Sequence, residues 1–111
     1  MHTFHLTPEA AQQLLEEQAG SPFAILMKHG TMQVEYFQPV GTDKQEPHAQ
    51  DELYFIAAGN SRFERNGEVV SVNKGDVLFV PAGMPHRFIH FSADFATWVV
   101  FYGPQGGEIK Q

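Results

Sequence analysis

The chain has 111 residues, a net charge of -6 and no cysteine, with 42% hydrophobic and 13% aromatic residues. That is one domain's worth of chain, apolar enough to bury a core without disulfides or thiolate-metal sites. Seven scattered Lys and Arg against thirteen Asp and Glu argue against a phosphate backbone as partner, and no apolar run approaches the roughly 20 residues of a membrane span. The opening MHTFHLTPEAA lacks the basic and apolar regions of a leader peptide, so the expectation is a cytoplasmic protein with neither nucleic acid nor membrane as partner.

Thr7-Pro8-Glu9 reads as an N-cap, a proline at the first helical position and an acid in the first turn. Good helix formers continue from Ala10 to Ala19 and stop at Gly20, which predicts one short helix within an N-terminal segment, residues 1–20. From Ser21 the texture changes. FAILMKH, MQVEYFQP, ELYFIAA, SRFER, EVVSV, VLFVP, HRFIHF and FATWVVFY are short β-prone runs separated by turn residues. Asn66-Gly67 between two of them is a hairpin signal, because both residues tolerate the positive φ of a type I′ turn. Further turns are expected at Lys74-Gly75-Asp76, at Ala82 to Pro85 and at Ser92-Ala93-Asp94. About eight strands at such spacing predict an all-β antiparallel sandwich or barrel over residues 21–103. The glycine-rich, polar tail, residues 104–111, is expected to be mobile unless a partner chain orders it.

Chemistry concentrates in two segments, PHAQDELYFIAAG and GDVLFVPAGMPHRF. On an extended segment Glu46 and His48 share a face with Cα atoms about 6.5 Å apart, close enough for a common ion. Glu52 lies four residues beyond His48, roughly 13 Å along a straight strand, so convergence on one ion requires a bend at Ala49-Gln50-Asp51. After that bend Glu52, Tyr54 and Ile56 share one face. His86 follows a turn stiffened by Pro81 and Pro85, which lowers the entropy lost in holding its imidazole in one place. His48, Glu52 and His86, with Glu46 as a further carboxylate, make a nitrogen and oxygen donor set suited to Fe(II), Mn(II), Ni(II) or Zn(II). A solvated loop glutamate is the alternative for Glu46, which is also a candidate general base if it does not bind the ion. Gln50, Tyr54 and Phe88 are candidates for a substrate wall, as is Trp98, although aromatic residues in a small barrel commonly just fill its core. His2, His5 and His29 have no patterned partners.

Both segments resemble the two motifs of the cupin superfamily. His48, Glu52 and Gly59 fall on the second histidine, the glutamate and the closing glycine of the first motif, while Gly75, Pro81, Gly83 and His86 match the second position for position. Two departures stand out: Glu46 occupies the place of the first histidine, and His90 that of the final asparagine, where a pocket or strand role is expected. The resemblance implies a double-stranded β-helix, jelly-roll-like, with one divalent metal ion near its open end. It implies a small-molecule substrate and chemistry of dioxygenase, isomerase or lyase type. A non-catalytic small-ligand binder with a structural ion or none is the rival, and the sensing half of a regulator is a third reading that would need a partner chain. A homodimer is also expected, with FATWVVFY covering a sheet edge of a second copy.

Overall fold

The computed structural model describes residues 4–109 as one short helix and eight strands; His2 lies outside the described residues. Helix α1 (Pro8–Glu16) starts as its sequence dictates, with Thr7 extended and its Oγ1 accepting the Ala10 N–H at 3.1 Å. It stops short of Gly20. Ala11 and Leu15 form its whole buried stripe, residues 16–20 are exposed, and with nothing left to bury the chain tightens into turns, the Gln18 N–H donating to the Leu15 carbonyl.

Strands β1 (Phe23–His29), β2 (Met32–Phe37), β3 (Asp51–Ala58), β4 (Asn60–Arg65), β5 (Glu68–Asn73), β6 (Val77–Val80), β7 (His86–Ile89) and β8 (Ala96–Tyr102) correspond to the eight runs in turn. They form two antiparallel sheets, ordered β1-β2-β8-β3-β6 and β5-β4-β7. Asn66 and Gly67 (φ 50° and 87°) make the β4-β5 hairpin, with Arg65 opposite Glu68. The architecture is a jelly-roll-like pair of facing sheets, and among the described residues no ladder joins the two into a closed ring.

Between the sheets lies an aromatic core. Phe37, Tyr54, Ile56, Val80, Val99 and Phe101 of the large sheet meet Phe63, Val72 and Phe88 of the small one, with Phe95 from the connection before β8. Each such side chain contributes about 1.5–3 kcal/mol through burial. This packing corrects the expectation for Phe88. It is 1% exposed, with the rings of Phe63 and Phe95 both at 4.8 Å, so it fills the core and walls no pocket. Trp98 points the other way, edge-on to Tyr36 at 4.9 Å on the outer face that α1 helps to cover. The rationale offered for a dimer also fails as stated. FATWVVFY is β8, hydrogen-bonded to β2 on one side and β3 on the other, so it has no free edge.

The tail is tied to the sandwich through Glu108. The Gly106 N–H donates to the Ala49 carbonyl at 2.6 Å and the Glu108 N–H to Asp51 Oδ2 at 2.9 Å. Asp51 Oδ1 accepts the Ala82 N–H at 2.9 Å, so one carboxylate, 6% exposed, clamps the tail and the turn before β7 to the start of β3. Removing it orphans two donors. Asp51→Ala is expected to lower unfolding stability by about 3 kcal/mol, since each hydrogen bond to a charged group is worth about 1.5–3 kcal/mol. A urea titration showing a loss below about 1 kcal/mol would contradict the clamp.

Candidate metal centre

Glu52 reaches the interior because β3 is flanked on both sides. Paired with Phe101 of β8 and Val80 of β6, it alternates inward with Tyr54 and Ile56, while Phe55 faces out. The chain bends at Ala49-Gln50, as the spacing from His48 requires. His86 opens β7 at the end of a turn fastened at several points. The Met84 N–H donates to the Pro81 carbonyl at 3.2 Å, the Gly83 N–H to the His48 carbonyl at 2.8 Å, and the Asn66 N–H to the Pro85 carbonyl at 3.0 Å. Gly83 sits at φ 79°, a conformation that admits few other residues. The Gly83 bond joins the two sequence motifs directly.

These elements bring one ligand atom each of His48, Glu52 and His86 to within 4.8 Å of one another. Glu52 and His86 are buried and His48 is half-buried. The His86 ring is oriented by Nδ1, which lies 2.8 Å from the Met84 carbonyl; a carbonyl only accepts, so Nδ1 carries a proton. In the neutral ring Nε2 is then a bare lone pair. It stands 2.7 Å from Glu52 Oε1 without hydrogen-bond alignment, and Nε2 and both Glu52 oxygens have no hydrogen-bond partner among the described residues. Lone pairs facing each other at that distance call for a positive charge between them, either a proton on Nε2 or a metal ion. Two ligands at about 2.0–2.2 Å from one ion sit roughly 3 Å apart, so the pair fits a metal.

Burial pulls the His86 pKa down, but the Glu52 contact, the Met84 carbonyl and the charges of Glu52 and Asp43 push it up, and the upward causes win over its ordinary value of 6.5. His48 packs its ring 4.5 Å from that of Phe101 and 6.0 Å from that of His86. Glu46 stands outside the group. It is exposed on a loop that pairs with no strand, so no sheet enforces the alternation that would have put it on the face of His48. His90 is likewise apart, exposed just past β7 at φ 53°.

Tyr54 backs the group, its ring 6.0 Å from that of His86. Its hydroxyl donates to Gln45 Oε1 at 2.9 Å, and burial pushes its pKa well up, so it stays protonated. Gln50 spends its side-chain amide on the Thr31 and Gly103 carbonyls, at 3.0 and 2.9 Å. Two carboxylates escaped the sequence reading. Buried Asp43 accepts the Phe88 N–H at 2.8 Å and both the backbone and side-chain N–H groups of Gln45, pinning the loop ahead of His48. Nothing in the charged run around it signals that role. Glu35 lies on the inner face of β2, and the alternation Gln33, Glu35, Phe37 would have revealed it once Phe37 was assigned to the core. A hollow of about 590 Å³ lies between α1 and residues 38–45 and includes none of the three grouped residues, whereas one of about 250 Å³ is bordered by His86.

Comparison with known proteins agrees with this architecture. Residues 33–102 match the family model described as Cupin domain. An uncharacterized protein of Streptomyces coelicolor is 45% identical over 64 residues, which are 58% of this chain and 61% of that one, so the match spans under two-thirds of the relative's length. A cupin superfamily protein of Desulfitobacterium hafniense superposes with a TM-score of 0.61 at 22% identity, over 71% of this chain and 73% of that one. A chain from crystal structures of DMSP lyases superposes with a TM-score of 0.55 at 26% identity, over 67% of this chain and 38% of that one. With Gly75, Pro81, Gly83 and His86 of the second motif on the turn that carries His86, and with the family model matched from β2 to the end of β8, this chain belongs to the cupin family.

Proposed function

We propose that the protein is a small metal-dependent cupin enzyme acting on a small oxygenated organic molecule, with His48, Glu52 and His86 as the protein ligands of one divalent ion. The observation that carries this reading is the buried meeting of the Glu52 carboxylate with His86 Nε2 at 2.7 Å, neither of them hydrogen-bonded among the described residues. A structural role would leave a carboxylate sealed from water with a protonated His86 as its close partner, a buried ion pair whose desolvation costs several kcal/mol. Two imidazoles and one carboxylate are the donor set of centres with open coordination positions, and such an ion supplies Lewis-acid polarisation of a bound carbonyl or carboxylate, or O2 binding if it is Fe(II). Around it the chain's own residues set the conditions. Met84 fixes which His86 nitrogen is free, Phe101 and Tyr54 exclude water from two sides, and Glu46, exposed, has no geometric claim to act as base. The DMSP lyase neighbour lends weight to lyase chemistry among the family's reactions.

Elemental analysis of protein purified without metal affinity tests the ligand set. The wild type is expected to carry near-stoichiometric metal, with His48→Ala and Glu52→Gln losing it and Glu46→Ala retaining it. Metal-free wild-type protein that takes up no Mn(II), Fe(II), Ni(II) or Zn(II) would instead favour a ligand-binding module. Glu52→Gln should also forfeit the roughly 2.7 kcal/mol that an ion at a hundredfold excess over its Kd confers on the wild type, read as the loss of a metal-dependent rise in unfolding stability.

Acidity acts with opposite signs on the two forms. Because the folded His86 pKa is raised, its protonated form stabilises the metal-free fold below pH 6.5, and that contribution is lost as pH rises through the folded value. Metal uptake runs the other way, since Nε2 must shed its proton first. Apparent affinity should therefore rise up to tenfold per pH unit below the His86 pKa and flatten above it, as calorimetric titrations at stepped pH would read. A pH-independent affinity in this range would remove His86 from the ligand set.

We also propose a homodimer, now on other grounds: Phe55, Val77 and Phe79 lie exposed together on the outer face of β3 and β6, at 38%, 56% and 44%. Light scattering is expected to give twice the 12.5 kDa chain mass at micromolar concentration, and 12.5 kDa would end the proposal.

A further inference from the structure

The two sheets differ in width. Five strands face three, so the inner face of β1 and β2 is not fully roofed. Register identifies what lies there. Ile25 opposite Glu35 and Lys28 opposite Gln33 share the inward face with Phe37, and a β-bulge between Ile25 and Met27 keeps both pairs in phase. Ile25 is 46% exposed, Lys28 is exposed, and Gln33 and Glu35 are half-buried, so this flank of the interior is open to solvent.

The same register leads from the flank to the metal centre. Gln33, Phe101 and Glu52 are neighbours in one row across β2, β8 and β3, and Glu35, Val99 and Tyr54 are neighbours in the next. The His48 ring packs at a tilt against that of Phe101, the residue between Gln33 and Glu52. Only apolar side chains of β8 therefore separate the grouped ligands from the Gln33 and Glu35 side chains, about 10 Å across the sheet. Gln33 Nε2 donates to Glu35 Oε2 at 2.6 Å, which orients the carboxyl and, among the described residues, leaves Oε1 with no hydrogen bond of its own. Gln33 also borders a hollow of about 350 Å³ that includes Lys28 and Gln50.

We propose that Glu35, positioned by Gln33, is the specificity-determining residue of this site, accepting a hydrogen bond from a hydroxyl group on the far end of a small carboxylate whose near end binds the metal. This rests on the metal-centre reading above. Burial, the largest cause, and the Glu52 charge raise the Glu35 pKa against the lowering by the Gln33 hydrogen bond and Lys28, and its oriented carboxyl offers an oxygen that can accept from a hydroxyl. The span between the two ends selects substrates by length and by a polar terminus, because a site built to bind a hydroxyl discriminates against the analogue lacking it.

Mn(II)-loaded protein tests this by the displacement of metal-bound water, read as water-proton relaxation. The probes are linear ω-hydroxy acids from hydroxypropionate to hydroxyhexanoate, each against the alkanoate of the same heavy-atom count. In the wild type at least one hydroxy acid should bind about tenfold more tightly than its alkanoate, and Glu35→Ala should abolish that preference while keeping Mn(II) stoichiometry. Glu35→Gln, of the same shape, should keep part of it, and near-ultraviolet circular dichroism checks that both variants hold their packing. A wild type without any preference across the series, or an Glu35→Ala protein that retains it, would overturn the assignment. A wild type that takes up no Mn(II) would instead overturn the metal-centre reading itself.

Discussion

The Glu52 carboxylate has no access to water and, among the described residues, meets only the His86 imidazole at close range, and the arrangement of the surrounding chain follows from tolerating that. Its strand is central, locked between β6 and β8, so it cannot swing outward to be hydrated. Its one close polar neighbour is an imidazole whose other nitrogen is already committed to a carbonyl. Buried polar groups left unsatisfied are rare in folded proteins, and where they occur they mark places at which stability is surrendered for a task. The aromatic core on one side and the fastened turn on the other supply the rigidity that holds the two groups in this unfavourable apposition.

That fastening is achieved by backbone groups more than by side chains. The His48 carbonyl and the Asp51 carboxylate both hold the Ala82-Gly83 stretch, so the residue before the bend and the residue after it grip the same turn. The loop ahead of His48 is held in turn by Asp43, which reaches the backbone of Phe88 on the strand that His86 begins. Each of the three grouped residues is thus referenced to the others through short hydrogen-bonded paths, the condition for a preorganised donor set.

The order of strands, the hairpin at Asn66-Gly67 and the inward face of Glu52, Tyr54 and Ile56 were legible because alternation and turn chemistry are local signals. His48, Glu52 and His86 were legible because prolines and glycines at fixed spacing leave the turn few conformations. What local signals could not give were facts of partnership. Phe88 and Tyr54 stood between pocket and core until the facing sheet showed them enclosed, Glu46 stood between co-ligand and solvated loop residue because no local signal says whether its segment pairs, and FATWVVFY read as free to cover a second copy's edge although β2 and β3 flank it. Glu35 and Asp43 went unnoticed for the same reason: their significance lies in what the fold sets opposite them.

The unequal widths of the two sheets carry a consequence for how such a molecule can change over generations. β1 contributes no grouped ligand and lies outside the matched family segment, yet with β2 it frames the unroofed flank. Substitutions there are buffered from the ligand-bearing turn by the whole of β8. The scaffold therefore separates into a part that holds the grouped residues and a margin that can change its exposed face, so substitutions at the margin need not disturb the group.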